Sequence, residues 1–180
     1  EVYSDTNGDG KLDKDDTLLG EMKELDGGVY QMSELRYGKY LVKETKAPTG
    51  FVLDEDVYAV SIEENGKTYT VENKAGVGFI NAAQKGSLKI VKTSSDGKVE
   101  GFSFRVTGVD YDQTFKTDKN GEIVIEGLRI GDYTVSEVSD KASAGYILPA
   151  DKQLTIKVGA TTIVQMHNEF RDTPKTGDDF

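Results

Sequence analysis

The sequence predicts an all-β protein made of two tandem Ig-like β-sandwich domains. Short runs of alternating apolar and polar residues are separated by turn dipeptides such as Asn65-Gly66 and Asn120-Gly121. No segment sustains the period of about 3.6 residues that an amphipathic helix requires. One stretch of sequence also occurs twice, which divides the 180 residues into two units of similar length.

The repeat relates residues 28–44 to residues 121–137 at a constant offset. Each copy then continues to a predicted apolar strand that is closed by an asparagine, Asn81 or Asn168. The first copy begins at a strand that corresponds to the second strand of the other copy, so we expect this sequence to lack its first strand. The predicted domains are residues 1–83 and 84–170, followed by a tail over residues 171–180.

Composition excludes several classes of function. The chain has 22 Lys and Arg against 32 Asp and Glu, and a net charge of -10 disfavours nucleic acid and anionic membranes as partners. Without cysteine, neither a disulfide nor a Cys-ligated zinc site can form. No signal peptide opens the sequence and no run of about 18 apolar residues could span a membrane, so we expect a fragment of a secreted protein with no membrane partner.

Three apolar stripes in the second copy each end in a polar residue. Side chains alternate across a strand, so residues two apart share a face. The stripes are Leu88, Ile90 and Lys92; Tyr133, Val135 and Glu137; and Val164, Met166 and Asn168. Burying a lone lysine or glutamate is costly, so we expect these three polar residues to meet.

Such a trio can make a covalent bond. A neutral Lys92 amine can attack the Asn168 carboxamide while Glu137 handles the protons, and burial moves both pKa values in the helpful direction. The alternatives are a buried ion pair or hydrogen-bonded trio without chemistry, or strand ends that reach solvent. Glu44 and Asn81 hold the corresponding positions in the first copy, where no lysine matches Lys92.

Residues 38–51, with the sequence GKYLVKETKAPTGF, resemble the hallmark stretch of Cna B-type (SpaA-like) pilin and adhesin domains of Gram-positive bacteria. The segment LKIVKT at residues 88–93 resembles the first-strand lysine motif of that family. The resemblance implies an intramolecular isopeptide bond between Lys92 and Asn168, assisted by Glu137, without any required cofactor. The second copy departs from the hallmark after Glu137, where it lacks the Thr and Pro and carries a two-residue insertion.

Residues 5–16 are spaced like a calcium-binding loop, with Gly10 where such a loop turns sharply. The candidate metal residues are Asp5, Asn7, Asp9, Lys11, Asp13 and Asp16. The loop resembles those of dockerins and EF-hands, so calcium is the candidate ion. However, a strand precedes it, no amphipathic helix follows, and Asp16 stands where an EF-hand has Glu. The alternative is a solvated acidic hairpin.

The tail resembles a sortase sorting signal. The motif consists of Thr173, Pro174, Lys175, Thr176 and Gly177. Thr173 takes the place of the usual Leu, and cleavage would fall between Thr176 and Gly177. The alternative is a proline-containing disordered tail.

These features favour a structural or adhesive surface protein or pilin subunit, anchored to the cell wall and not an enzyme apart from its single self-crosslinking turnover. The expected partners are a sortase, peptidoglycan or neighbouring pilin subunits, and a host or extracellular ligand. A calcium-dependent, dockerin-like docking module of an extracellular complex is the second hypothesis. A glycoside hydrolase ranks last, because two small units without Trp leave little room for a sugar cleft.

Overall fold

The computed structural model describes residues 1–172, which form two compact units. Unit 1 is Glu1–Ala83 and unit 2 begins at Gln84. Within residues 1–172 the single helical element is a 3-10 turn at Asp26–Gly28, so the all-β prediction is confirmed. None of the helical structure in this range is long and apolar enough to cross a membrane.

Unit 1 contains eight strands. They are β1 (Val2–Ser4), β2 (Thr17–Gly20), β3 (Lys23–Glu24), β4 (Tyr30–Gln31), β5 (Gly38–Lys43), β6 (Val57–Ile62), β7 (Glu72–Asn73) and β8 (Gly76–Val77). Four of them form an antiparallel sheet in the order β2-β1-β5-β6. The others form two separate pairs, β3 with β4 and β7 with β8.

Unit 2 also contains eight strands. They are β9 (Lys85–Ser94), β10 (Ser103–Gly108), β11 (Tyr111–Lys116), β12 (Glu122–Arg129), β13 (Gly131–Glu137), β14 (Tyr146–Ile147), β15 (Lys152–Ile156) and β16 (Thr161–Phe170). They form two four-stranded sheets, β11-β10-β13-β15 and β12-β9-β16-β14. Their inward faces enclose one core of buried residues that draws on both sheets.

The repeat predicted from sequence is visible in the sheets. The order β2-β1-β5-β6 in unit 1 reproduces the order β11-β10-β13-β15 in unit 2. Val2 lies opposite Val42 in the first sheet, as Val106 lies opposite Val135 in the second. β1 is therefore the counterpart of β10, as expected from sequence.

A buried tyrosine marks the same corner in both units. The Tyr40 hydroxyl donates a hydrogen bond to the Arg36 carbonyl at 2.7 Å, and the Tyr133 hydroxyl donates one to the Arg129 carbonyl at 2.8 Å. In each case the acceptor lies four residues before the tyrosine. The bond gives the phenol a partner where its ring packs into the core.

The second sheet is where the two units differ. In unit 2, β9 lies between β12 and β16 and pairs with both. The described part of unit 1 has no strand in that central position. The predicted apolar strand that ends at Asn81 is wrong in its extent, because only Gly76–Val77 is paired as β8. A strand needs a neighbouring strand to accept and donate its backbone hydrogen bonds. In unit 2, β16 has β9 as that neighbour, whereas the segment that ends at Asn81 has no such neighbour in the described part of unit 1.

Unit 1 should therefore be the less stable of the two. Its buried apolar cluster has three members, Val2, Tyr40 and Val42, against fourteen in unit 2. We expect limited proteolysis to cut unit 1 first and to leave a fragment that begins near Gln84, because cleavage follows local opening. Mass spectrometry of the time course would identify the cuts, and earlier loss of unit 2 would contradict this ranking.

Candidate functional site

The fold gathers the three polar residues at one end of the core of unit 2. β9 and β16 pair in parallel, with Met166 opposite Lys92. Asn168 therefore lies two residues further along the neighbouring strand on the same face, within reach of a lysine side chain. Glu137 ends β13 in the facing sheet and approaches from across the core.

All nine residues of the three stripes are buried, including the polar ones. The exposed fraction is 1% for Lys92 and 0% for Asn168, and Glu137 is also buried. The alternative in which these strand ends reach solvent is therefore excluded.

One hydrogen bond joins the amide to the acid. Asn168 Nδ2 donates to Glu137 Oε1 at 3.0 Å. Asn168 Oδ1 and Glu137 Oε2 are also buried, and neither has a hydrogen-bond partner within residues 1–172. If Glu137 is protonated, its Oε2–H can donate to Asn168 Oδ1, which would satisfy both atoms and polarise the amide carbonyl.

Burial favours the neutral form of both ionisable groups. Desolvation lowers the pKa of Lys92, although the charges of Glu137 and Asp96 oppose this shift. Desolvation also raises the pKa of Glu137, against the hydrogen bond from Asn168 and the charge of Lys92, while the charge of Asp140 adds to the rise. Both pKa shifts are in the direction of a neutral amine beside a protonated acid.

The surroundings of Lys92 are aromatic. Its Nζ donates to the Thr93 carbonyl and lies 4.2 Å from the centroid of the Phe102 ring and 6.0 Å from that of Tyr146. Within the described residues no carboxylate oxygen comes within 4.0 Å of this nitrogen, so the buried ion-pair alternative is not the observed arrangement. The rings shield the amine from water.

Sequence reasoning missed the residues that hold this aromatic cover. The Tyr146 hydroxyl donates to Asp96 Oδ2 at 2.6 Å, and this bond is the main reason why the pKa of Asp96 falls to about 2. The Tyr146 ring also packs edge-on against Phe102 and Phe170, with both centroid distances at 5.2 Å. The sequence signal that could have identified this aromatic position is the repeat, in which Tyr146 of the second copy corresponds to Phe51 of the first.

Unit 1 contains the acid and the amide without the amine. Asn81 Nδ2 donates to Glu44 Oε2 at 2.7 Å, and the backbone N–H of Asp54 donates to the same oxygen. Both side chains are only partly buried. No lysine of the described chain forms an ion pair with Glu44.

The acidic loop of residues 5–16 connects β1 to β2, so strands rather than helices flank it. Asp5 is buried, and its carboxylate accepts the backbone N–H groups of Gly8 and Gly10. The side chains of Asn7, Asp9, Asp13 and Asp16 likewise accept backbone N–H groups of the loop. Nowhere in residues 1–172 do three or more His, Cys, Asp or Glu side chains form a group that could hold a metal ion. As folded, the loop is closed by its own hydrogen bonds.

The tail motif of Thr173, Pro174, Lys175, Thr176 and Gly177 lies outside the described residues. Its identification as a sorting signal stays a prediction.

Comparison with known proteins identifies a family. The model of the SpaA prealbumin-like fold domain matches the chain twice, over residues 3–75 and residues 86–170. No relative was found among curated protein sequences.

Solved structures match at low identity. A C-terminal fragment of the pilus adhesin SpaC from Lactobacillus rhamnosus GG has a TM-score of 0.52 and 16% identity over 78% of this chain and 80% of that fragment. The minor pilin of Streptococcus agalactiae has a TM-score of 0.44 and 20% identity, over 81% of this chain and 66% of that protein. The Bacillus anthracis TIE protein has a TM-score of 0.45 and 22% identity, over 73% of this chain and 25% of that protein. This chain thus spans only part of the length of the last two proteins.

The loop of residues 5–16 can be tested directly. The calcium hypothesis predicts that millimolar calcium releases heat in a titration and raises the unfolding temperature of unit 1, because binding to the folded loop stabilises it. Asp16→Ala should remove both effects, whereas Lys14→Ala, a change of an exposed side chain in the same loop, should keep them. A titration with neither heat nor a temperature shift would reject calcium binding.

Proposed function

Because this chain belongs to the SpaA prealbumin-like fold family, we propose that it is a structural segment of a Gram-positive surface pilus or pilus adhesin, with unit 2 locked by an amide bond between Lys92 and Asn168. One observation carries the proposal. A buried lysine, a buried acid and a buried amide converge in unit 2, and two of their polar atoms have no hydrogen-bond partner in the described chain. Leaving such groups unsatisfied is costly, so their conversion to a neutral, bonded product is the favourable outcome.

The reaction balances within the trio. Lys92 Nζ attacks Asn168 Cγ, and the carbonyl oxygen is stabilised by the proton on Glu137. Glu137 gives its proton to Asn168 Nδ2, the bond from Cγ to Nδ2 breaks and ammonia leaves, and Glu137 takes one proton from the attacking amine in return. The new bond is an uncharged amide, so the lysine no longer carries a charge into the core.

The position of the bond suits a protein under tension. Lys92 lies on the first strand of unit 2 and Asn168 on the last, and these strands are neighbours. A force applied to the two ends of unit 2 would pass through the amide and bypass most of the strands between them. Hydrogen bonds alone would otherwise carry that load.

Attachment and location follow from the same proposal. A sortase would cleave between Thr176 and Gly177 and join Thr176 to peptidoglycan or to a neighbouring pilin subunit, at the surface of the cell wall. The sequence pattern of the tail and the family membership support this step. A host or extracellular ligand would be a further partner of an adhesin.

The docking-module hypothesis has less support. Its calcium loop would need flanking helices to resemble a dockerin, and the loop of residues 5–16 instead joins two strands of a sheet. Calcium binding by this loop would therefore stabilise unit 1 without making the chain a dockerin.

The intact mass tests the proposed bond. The intact protein should be lighter than its sequence mass by one ammonia, about 17 Da, because forming the amide expels it. Tandem mass spectrometry should place the crosslink between Lys92 and Asn168. Glu137→Ala should restore the full sequence mass, and Glu169→Ala, at an exposed glutamate on the same strand as Asn168, should not. An unmodified parent protein would contradict the proposed chemistry.

The unfolding free energy of unit 2 tests the bond independently. The bond closes a loop from residue 92 to residue 168, and the chain-entropy model for crosslinks gives about 4 to 5 kcal/mol for a loop of that size. Glu137→Gln keeps the side-chain size but removes the proton shuttle, so unit 2 should lose about that much free energy of unfolding. Denaturant unfolding would measure it, with Glu44→Gln as the matched control in unit 1. Equal unfolding of unit 2 in the parent and in Glu137→Gln would show that no stabilising bond forms.

A further inference from the structure

A hydrogen bond between Asp96 and Tyr146 closes the end of unit 2 at which Lys92 lies. The two residues are 50 positions apart in sequence, and the Tyr146 hydroxyl donates to Asp96 Oδ2 at 2.6 Å. Asp96 lies just after β9, and Tyr146 begins β14. The Tyr146 ring is buried and packs against Phe102, whose ring covers Lys92 Nζ. We call the pair of Asp96 and Tyr146 the latch.

The Asp96 carboxylate is held in place by its own turn. Asp96 Oδ1 accepts the backbone N–H of Lys98 at 3.1 Å, and the N–H of Gly97 donates to the Ser94 carbonyl at 3.1 Å. One carboxylate oxygen thus serves the turn and the other serves the phenol. A hydrogen bond to an ionised acceptor is about twice as strong as one between neutral groups. The latch is therefore a strong contact between distant parts of the chain.

Tyr146 also supports the rest of the aromatic cover. Its ring packs edge-on against Phe102 on one side and Phe170 on the other. Gly145 has a φ of 88°, and a Cβ at this position would come to 3.2 Å from the Phe170 ring. The glycine thus allows Tyr146 to approach β16 closely. The hydroxyl bond to Asp96 then fixes the polar end of the same ring.

The hydroxyl group is not needed to place a ring at this position of the fold. In the repeat, Tyr146 corresponds to Phe51 of unit 1, which has no hydroxyl. Phe51 pairs with Ala83, and Tyr146 pairs with Phe170, each partner lying two residues after the asparagine of its unit. A phenylalanine is therefore compatible with the backbone here, and the Tyr146 hydroxyl has a role of its own.

Asp96 acts on Lys92 through its charge as well. Desolvation is the main cause that lowers the pKa of Lys92, and the charges of Glu137 and Asp96 oppose it. Within residues 1–172, the other groups against the amine are the Thr93 carbonyl and two aromatic rings. The outer side of the cover carries exposed charged residues, namely Lys98, Glu100, Lys119 and Lys141. Asp96 is thus a charge near the amine that takes no part in the proposed reaction.

Both members of the latch keep their charge state at ordinary pH. The bond from Tyr146 is the main reason why the pKa of Asp96 falls to about 2. Burial, followed by the bond to Asp96, raises the pKa of Tyr146 to about 12. The carboxylate therefore stays ionised and the phenol stays protonated at neutral pH, so the latch does not open by titration.

We propose that the latch holds the aromatic cover closed over Lys92, and that the charge of Asp96 sets the pH range in which this amine reacts. Asp96 and Tyr146 are positioning residues, because no proton or bond of the reaction passes through either of them. The shielding of the amine stands on the contacts of the latch. The effect on the reaction rests on the amide bond proposed for unit 2.

Acylation of the amine by N-succinimidyl acetate tests the shielding. In Glu137→Gln, which leaves Lys92 unreacted, peptide mass spectrometry should find Lys92 modified far more slowly than exposed Lys98. Adding Tyr146→Phe keeps the ring, yet Lys92 should react about tenfold faster, because losing a hydrogen bond to a charged group favours local opening by that order. Tyr111→Phe, at a half-buried tyrosine against the same core, should not change the rate.

A second variant guards against general unfolding. Asp96→Ala removes the acceptor at an exposed residue and should speed the acylation of Lys92 as Tyr146→Phe does. Hydrogen exchange of the β13 amides should stay slow in both, which shows that unit 2 remains folded. Unchanged acylation of Lys92 in both variants would overturn the latch, as would faster acylation that is matched by faster exchange throughout β13.

The pH profile of crosslinking tests the charge. Chain purified in urea from inclusion bodies is refolded by dilution at about pH 5 to 9, and intact mass follows the loss of ammonia. Asp96→Asn keeps a group that can hydrogen-bond to the phenol but removes the negative charge, so the profile should shift to lower pH. Asp112→Asn, at an exposed aspartate paired with Arg105, should leave it unchanged. An unshifted profile in Asp96→Asn would reject the role of the charge.

The two measurements separate the latch from the amide bond. A parent chain that never loses ammonia would refute the proposed function. Its Lys92 would then be free, so the acylation rate and the pH dependence of acylation would judge the latch and the charge in that chain. A parent chain that does crosslink, with Lys92 equally shielded with and without Tyr146→Phe, would refute the latch alone.

Discussion

The pairing of β9 with both β12 and β16 is the interaction on which unit 2 depends. It joins the second sheet, covers one side of the core with Leu88 and Ile90, and carries Lys92 to the end of that core. Unit 1 serves as an internal comparison, because the same family fold occurs there without a described strand in this place. Its second sheet separates into two short pairs, and its buried cluster shrinks to three residues.

The proposed amide bond would relieve the energetic cost of burying three polar groups. A buried amine, a buried acid and a buried amide each lose hydration, and in unit 2 the partial hydrogen bonding leaves Glu137 Oε2 and Asn168 Oδ1 without partners in the described chain. Desolvation also shifts the pKa values of Lys92 and Glu137 towards the neutral forms that the reaction needs. The same burial that makes the unreacted trio unfavourable therefore prepares it to react. The aromatic rings of Phe102 and Tyr146 keep water out.

Local periodicity was enough to predict the buried faces that contain the site. Alternation along single strands placed Lys92, Glu137 and Asn168 on their apolar stripes, and the repeat identified Glu44 and Asn81. The aromatic cover over Lys92 could not be predicted in this way, because Asp96 and Tyr146 meet through a contact between distant parts of the chain. The short extent of β8 was missed for a related reason. Alternation records which face a residue prefers, whereas a strand also needs a neighbour to pair with.

The proposed amide between neighbouring strands would supply a covalent link that the composition does not otherwise allow. A domain of this size has a limited core, and secreted domains often add disulfides, which a chain without cysteine cannot form. An amide is not broken by thiol exchange, so its contribution does not depend on the redox state of the surroundings. The proposed amide would also join the first and last strands of unit 2, where a pull on the two ends would act. Under the proposed function, mechanical strength and thermodynamic stability in unit 2 would come from the same bond, which would form where β9 places Lys92 near Asn168 and Glu137.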